Sequence, residues 1–146
     1  MSTTTVGTAL DPQLLGRSEN LHRAMLTRTL AGTGLDYPGW AALKVASIGT
    51  PAPRTQLADR IVTAGRIEAE RVEAALDLLL SAGLIEDTGP DLALTPAGTG
   101  LADTVSATAA ANVGEVYGSI PAEDLATAGR VVTAINAAIE AKLGLA

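Results

Sequence analysis

The chain has 146 residues, enough for one domain with a real core, since a chain of about 150 residues hides roughly 70% of its unfolded surface. Its apolar content is 47% but only 2% is aromatic (Tyr37, Trp40, Tyr117) and there is no Phe, so the core is aliphatic and suited to close-packed helices. The absence of cysteine excludes disulfides, thiolate metal sites and cysteine nucleophiles, and the net charge of −6 speaks against a general nucleic-acid binder, which carries basic excess.

Met1–Leu10 holds no basic residue and no apolar core, so it does not read as a signal peptide. No apolar run approaches the ~18 residues of a membrane span, and the expected location is cytoplasmic. Asp11-Pro12 starts a first helix, with Asp as cap and Pro in the first turn. Leu14, Leu21 and Met25 recur at helical spacing to about Ala31, and Gly32-Thr33-Gly34 ends the run. Asp36 and Pro38 start a second helix with Trp40 and Leu43 on one side. Gly49-Thr50-Pro51-Ala52-Pro53 cannot continue it and reads as a loop.

A third helix spans about Arg54–Thr63, with Leu57 and Ile61 paired four apart on its inner face. After the tight Ala64-Gly65-Arg66 connection, a fourth runs from about Ile67 to Ala82, closed by Gly83. Two helices so joined form a helix-turn-helix pattern. Leu84–Asp87 and Leu92–Leu94 flank Thr88-Gly89-Pro90-Asp91 as a small hairpin. Thr95-Pro96 then opens a long helix to about Tyr117, striped by Leu101, Val105, Ala109, Val113 and Val116. A last helix, about Pro121–Leu143, turns Leu125, Val132, Ile135 and Ile139 inward. So small a body cannot cover these long apolar stripes, which predicts a dimer with interleaved first and last helices.

This order, with particular residues in it, resembles the MarR family of dimeric winged-helix regulators. Gly34-Leu35 before Trp40-Ala41-Ala42-Leu43 is similar to the family's entry into its second helix. Thr55-Gln56-Leu57-Ala58-Asp59-Arg60-Ile61 is similar to its third helix. Val72-Glu73-Ala74-Ala75-Leu76 through Ala82-Gly83-Leu84-Ile85 resembles its recognition helix and exit, and Leu94-Thr95-Pro96-Ala97-Gly98 the "L-T-x-x-G" after its wing. Pro121-Ala122-Glu123-Asp124-Leu125 resembles the start of its last helix. The resemblance implies a mainly α fold: one winged helix-turn-helix domain over 1–146, with dimerisation helices in 11–34 and 96–146, a lobe in 36–95 and a small β-hairpin wing. It also implies a ligand-responsive regulator whose homodimer binds double-stranded DNA and is released by a small, often aromatic ligand. Fold alone does not fix function, so the same scaffold as a small-molecule binder without DNA, or as a repurposed enzyme, is the alternative.

Two departures from the family pattern weaken the DNA interface. On a helical wheel, Val72, Ala75, Leu76, Leu79 and Gly83 face the core. Ile67, Glu70, Ala74, Asp77, Leu78 and Ser81 face outward, where Arg, Lys, Asn or Gln usually read bases and where family members often place arginine at the positions of Ala74 and Leu78. Exposed Ile67 and Leu78 would suit a partner or a ligand cavity. The wing tip, Thr88–Asp91, has no basic residue, whereas the family's wing is longer with an Asp-x-Arg type of tip. Arg54, Gln56, Arg60, Arg66 and Arg71 remain to contact phosphate. His22, Met25, Tyr37, Trp40 and Tyr117 are the candidate ligand residues, and His22 is the candidate catalytic group should the scaffold be an enzyme. One histidine and scattered carboxylates give no metal site, and no cofactor motif is present.

Overall fold

The computed structural model describes residues 7–145; Met1–Val6, on which most of the N-terminal reading falls, lie outside them, as does Ala146. Among the described residues six helices and one hairpin follow in order: α1 Pro12–Leu30, α2 Tyr37–Ile48, α3 Arg54–Gly65, α4 Ala69–Ser81, β1 Ile85–Asp87, β2 Leu92–Leu94, α5 Pro96–Gly118 and α6 Ala122–Leu143. The chain divides into two compact units, Met1–Ser106 and Ala107–Ala146. No helix among the described residues is long and apolar enough to cross a membrane.

The helix starts are set by short polar side chains. Asp11 accepts a hydrogen bond from the Leu14 N–H at 2.7 Å, and Asp36 one from the Gly39 N–H at 2.9 Å, satisfying donors that have no partner within the helix. Pro12 follows the first cap directly and Pro38 stands two residues after the second, both in the first turn, where a missing N–H costs nothing. Helix α1 stops where Gly32 and Gly34 take positive φ; the Thr33 hydroxyl donates to the Leu30 carbonyl at 2.6 Å and accepts from the Leu35 N–H at 3.1 Å, turning the chain into α2.

In the first unit α2, α3 and α4 pack on one another. Their shared core holds Leu43, Ile61, Val72, Leu76, Leu79 and Ile85, all essentially inaccessible. Val72, Ala75, Leu76 and Leu79 form the buried stripe of α4, as its period predicts. Leu26 and Leu30, at the end of α1, reach this core, while Leu14 and Leu21 toward its start are exposed.

The hairpin pairs Ile85 with Leu94, Glu86 with Ala93 and Asp87 with Leu92. Its turn closes through the Thr88 N–H on the Asp91 carbonyl at 2.8 Å, with Gly89 at φ +109°. The segment expected to be only a loop adds to it: Ala52 exchanges backbone hydrogen bonds with Leu92, at 2.8 and 3.4 Å. Pro51 and Pro53 on either side have no N–H to donate, which explains why the pairing stops after one residue.

One outward assignment is corrected. Ile67 is buried, at 6% exposure. Helix α4 begins at Ala69, two residues later than expected, so Ile67 does not lie on its wheel. Arg66 takes a left-handed conformation, and the Ile67 side chain folds back over Gly65 and toward Ala41. Leu78 remains 40% exposed, leaning toward Gly39 at the start of α2.

The second unit contains the end of α5 and all of α6. No residue of α6 is buried. Leu125, Val132 and Ile135 are half-buried, and Val113, Val116, Ile120, Val131, Ile139 and Leu143 are exposed.

Candidate nucleic-acid interface

Helices α3 and α4, joined by Arg66–Glu68, and the hairpin after α4 make a helix-turn-helix with a wing. The core fixes α4 by one stripe, so its other side faces solvent: Glu70, Glu73, Ala74, Asp77, Leu78 and Ser81 are all exposed. At a face of this kind, phosphate contacts position the duplex and side chains aimed into the groove read bases.

The five residues expected to meet phosphate divide by environment. Arg54, at the first position of α3, is engaged with the face itself. Its Nε and Nη2 donate to Glu73 Oε2 at 2.9 and 2.6 Å, and Nη2 also donates to Asp77 Oδ1 at 2.8 Å. Its hydrogen bonds to Glu73 first and to Asp77 second hold its pKa above the usual arginine value. Gln56 and Arg60, one turn apart on α3, line a cleft of about 750 Å³ against Val45 and Ile48 of α2. Arg60 makes one long contact there, to the Thr50 carbonyl at 3.5 Å. Arg66 and Arg71 line a second cleft, of about 460 Å³, whose walls include Glu19, Arg23, Tyr37 and Glu68. Among the described residues Arg60, Arg66 and Arg71 have no carboxylate partner within 4 Å.

Arg66 is the one described non-glycine residue at positive φ, with φ 51° and ψ 47°. An L-residue there costs about 1–2 kcal/mol, a cost that clusters at functional sites. Arg66→Gly is expected to raise stability in urea by about 0.5–1 kcal/mol while reducing the salt slope of duplex binding by about 1, the signature of one lost phosphate contact. An unchanged salt slope would remove Arg66 from the interface.

Of the ligand candidates, Tyr37 lines the 460 Å³ cleft. Its hydroxyl donates to the Gly65 carbonyl at 3.3 Å, and the Arg23 guanidinium lies 5.1 Å from its ring centre. Arg23 is therefore a further cleft residue, and its i,i+4 pair with Glu19 at 3.0 Å is the local signal that places it there. Trp40 is a core residue at 8% exposure, with the Lys44 ammonium 5.9 Å from its ring centre. His22 is exposed on α1, with Nδ1 2.7 Å from the Ser18 carbonyl oxygen, and Met25 is half-buried one turn on. Neither lines the cleft with Tyr37. Tyr117 belongs to the second unit, at the end of α5. Glu73 was not among the outward residues marked from the sequence. Its spacing of four from Asp77 was the available signal, but the partner arginine lies 19 residues away along the chain.

These elements define a winged-helix fold whose α4 carries an acidic outer face. Comparison with solved structures gives the type: the chain has a MarR-like winged-helix fold. It superposes on a MarR family transcription regulator with TM-score 0.76 at 20% identity, covering 92% of this chain and 89% of that one. A MarR family transcriptional regulator from Silicibacter pomeroyi gives 0.64 at 23% identity, with 88% of each chain covered. A MarR family protein of Mycobacterium tuberculosis, solved in complex with DNA, gives 0.67 at 20% identity, covering 88% and 98%. That protein has also been solved with p-aminosalicylic acid and with salicylic acid. No family model matches the chain, and no curated protein matches it.

Proposed function

We propose that this chain is a cytoplasmic, MarR-like transcription regulator that binds double-stranded DNA as a homodimer and releases it when a small aromatic ligand binds. The observation that carries the reading is the exposed α3–α4 helix-turn-helix, complete with wing, in a fold whose M. tuberculosis neighbour is solved on DNA. Arg60, Arg66 and Arg71, without carboxylate partners among the described residues, are the phosphate contacts, with Gln56 beside them. Tyr37 and Arg23 supply an aromatic face and a cation to the 460 Å³ cleft, a size that suits a small ring-bearing anion. His22, Met25, Trp40 and Tyr117 are carried as further ligand-responsive residues, none of them among those that line that cleft. Homodimerisation is supported by the apolar side chains that the second unit leaves exposed.

Selection from a randomised duplex library at low salt tests the reading. The expected result is a palindromic motif with half-sites about one helical turn, roughly 10 base pairs, apart. A folded dimer that enriches no motif overturns it.

One observation favours a second reading. The central arginine of the face is held by two acids, and the wing tip carries no cation. On that reading the scaffold binds a small molecule without DNA, and the same protein shows a ligand-induced thermal shift but no motif.

A further inference from the structure

Arg54, Glu73 and Asp77 join the start of α3 to the outer face of α4, and the lobe does not need them for its stability. Their side chains are 36%, 51% and 71% exposed, and ion pairs this accessible contribute only about 0–1 kcal/mol. Beneath them the core of α2, α3 and α4 is already closed by Ile61, Val72, Leu76 and Leu79. The consequence of the contact is therefore electrostatic. One guanidinium shared by two carboxylates leaves a local charge of −1 at the middle of the face. Glu70, one turn before Glu73 on α4, adds a further negative charge.

Two further details give the contact direction. Nη2 is divided between Glu73 Oε2, Asp77 Oδ1 and the Glu73 carbonyl, the last at 3.3 Å, so the guanidinium is drawn along α4. Arg60, Arg66 and Arg71, around the same helix pair, have no such partners among the described residues. Of the four arginines of the helix-turn-helix, the one that opens α3 is thus the one withheld from an incoming phosphate.

We propose that Glu73 and Asp77 form an acidic latch on Arg54 that keeps the helix-turn-helix off non-specific duplex DNA, so that Arg54 becomes a phosphate contact only where a cognate site displaces both carboxylates. The proposal rests on the reading of this lobe as a DNA-binding one. It goes beyond that reading by assigning the acids a role in selectivity. Non-specific binding is almost entirely electrostatic, so a local charge of −1 suppresses it, whereas base contacts at a cognate site can offset the lost ion pairs.

The test is fluorescence anisotropy of the full chain on a scrambled duplex, across a salt series. E73Q/D77N keeps the shape of both side chains and removes their charge; E123Q/D124N removes the same charge from the exposed first turn of α6 and serves as control. The latch predicts that E73Q/D77N tightens non-specific binding on the order of tenfold and steepens the salt slope by about 0.9, one added phosphate contact. R54A in the E73Q/D77N background returns both to the wild-type values. The control shifts affinity by about twofold or less, because neither of its carboxylates pairs with Arg54. An equal gain in the control, a gain that survives R54A, or no gain at all overturns the latch. The outcomes separate it from the functional reading: if library selection yields no motif but E73Q/D77N gains binding through Arg54, the regulator fails and the latch stands. If selection yields a motif and E73Q/D77N gains nothing, the regulator stands and the latch fails.

Discussion

Gly98→Ala is expected to destabilise the protein by about 3 kcal/mol, at the upper end of overpacking effects, although it replaces a glycine inside a helix by the best helix former. Helix propensity alone predicts the reverse, a gain of about 1 kcal/mol. The close approach of two backbones decides the sign. A Cβ on Gly98 would run into the Leu84 carbonyl oxygen, and would stand 2.9 Å from its carbon and 3.2 Å from the Leu94 side chain. The Leu84 carbonyl cannot move aside, because it accepts the Thr95 N–H at 3.1 Å. The Thr95 hydroxyl donates to the neighbouring Gly83 carbonyl at 2.6 Å and accepts from the Gly98 N–H at 3.1 Å. The end of α4, the exit of the hairpin and the first turn of α5 are fastened there within one small cluster. Two residues on, a Cβ on Gly100 meets nothing within 4 Å. Gly100→Ala is therefore expected to stabilise by about 0.5–1 kcal/mol. Urea midpoints of the two variants should move in opposite directions at unchanged m; equal midpoints would show that the close approach does not constrain the fold.

That cluster also shows how much of the molecule could be read in advance. Leu94-Thr95-Pro96-Ala97-Gly98 stood out as a pattern, and Thr95-Pro96 marked a helix start by its chemistry. The reason for Gly98 was not legible, since it depends on a carbonyl 14 residues earlier. Asp11, Asp36, the glycines after α1 and the period of α4 act within a turn or two of themselves, and the expected elements based on them match the fold to within a few residues. The misplacement of Ile67 has a local cause: its position was extrapolated from a helix that the left-handed Arg66 delays until Ala69. The Ala52 bridge depends on a partner 40 residues away, and local preferences recorded only the prolines around it.

The site was legible in composition more than in arrangement. The acidity of the outer face of α4 was visible at Glu70 and Asp77. Its capture of Arg54 was not, because a wheel describes one helix and the contact joins two. The same holds for the 460 Å³ cleft, where Tyr37 was foreseen and its partner Arg23 was not. Arg66 was expected as a phosphate contact by its charge alone; its left-handed backbone follows from the tightness of the turn between α3 and α4.

Ile139→Glu is expected to convert the protein from a species of twice 14.7 kDa to one of 14.7 kDa in light scattering. Leu125, Val132, Ile135 and Ile139 recur at helical spacing and share a side of α6. Within one chain Ile139 is 50% exposed. In a monomer a charge there would be a surface substitution, worth about 0.5 kcal/mol or less. In a homodimer that covers the stripe the charge is buried without a partner, once in each copy. At about 2 kcal/mol per copy, a low value for an unpaired buried charge, the dimer loses roughly 4 kcal/mol, nearly a thousandfold in its dissociation constant. DNA binding would fall with it, because two linked half-sites become two separate weak ones. Ala134→Glu supplies the control: it lies on the opposite side of α6, at about 100° per residue, and is exposed. It adds the same charge to the same helix and should leave the mass unchanged. A wild-type protein that runs as a monomer, or an Ile139→Glu variant that keeps the doubled mass, would mean that the apolar stripe of α6 is not covered by a second copy. The proposed regulator would then have to reach two half-sites by some other contact.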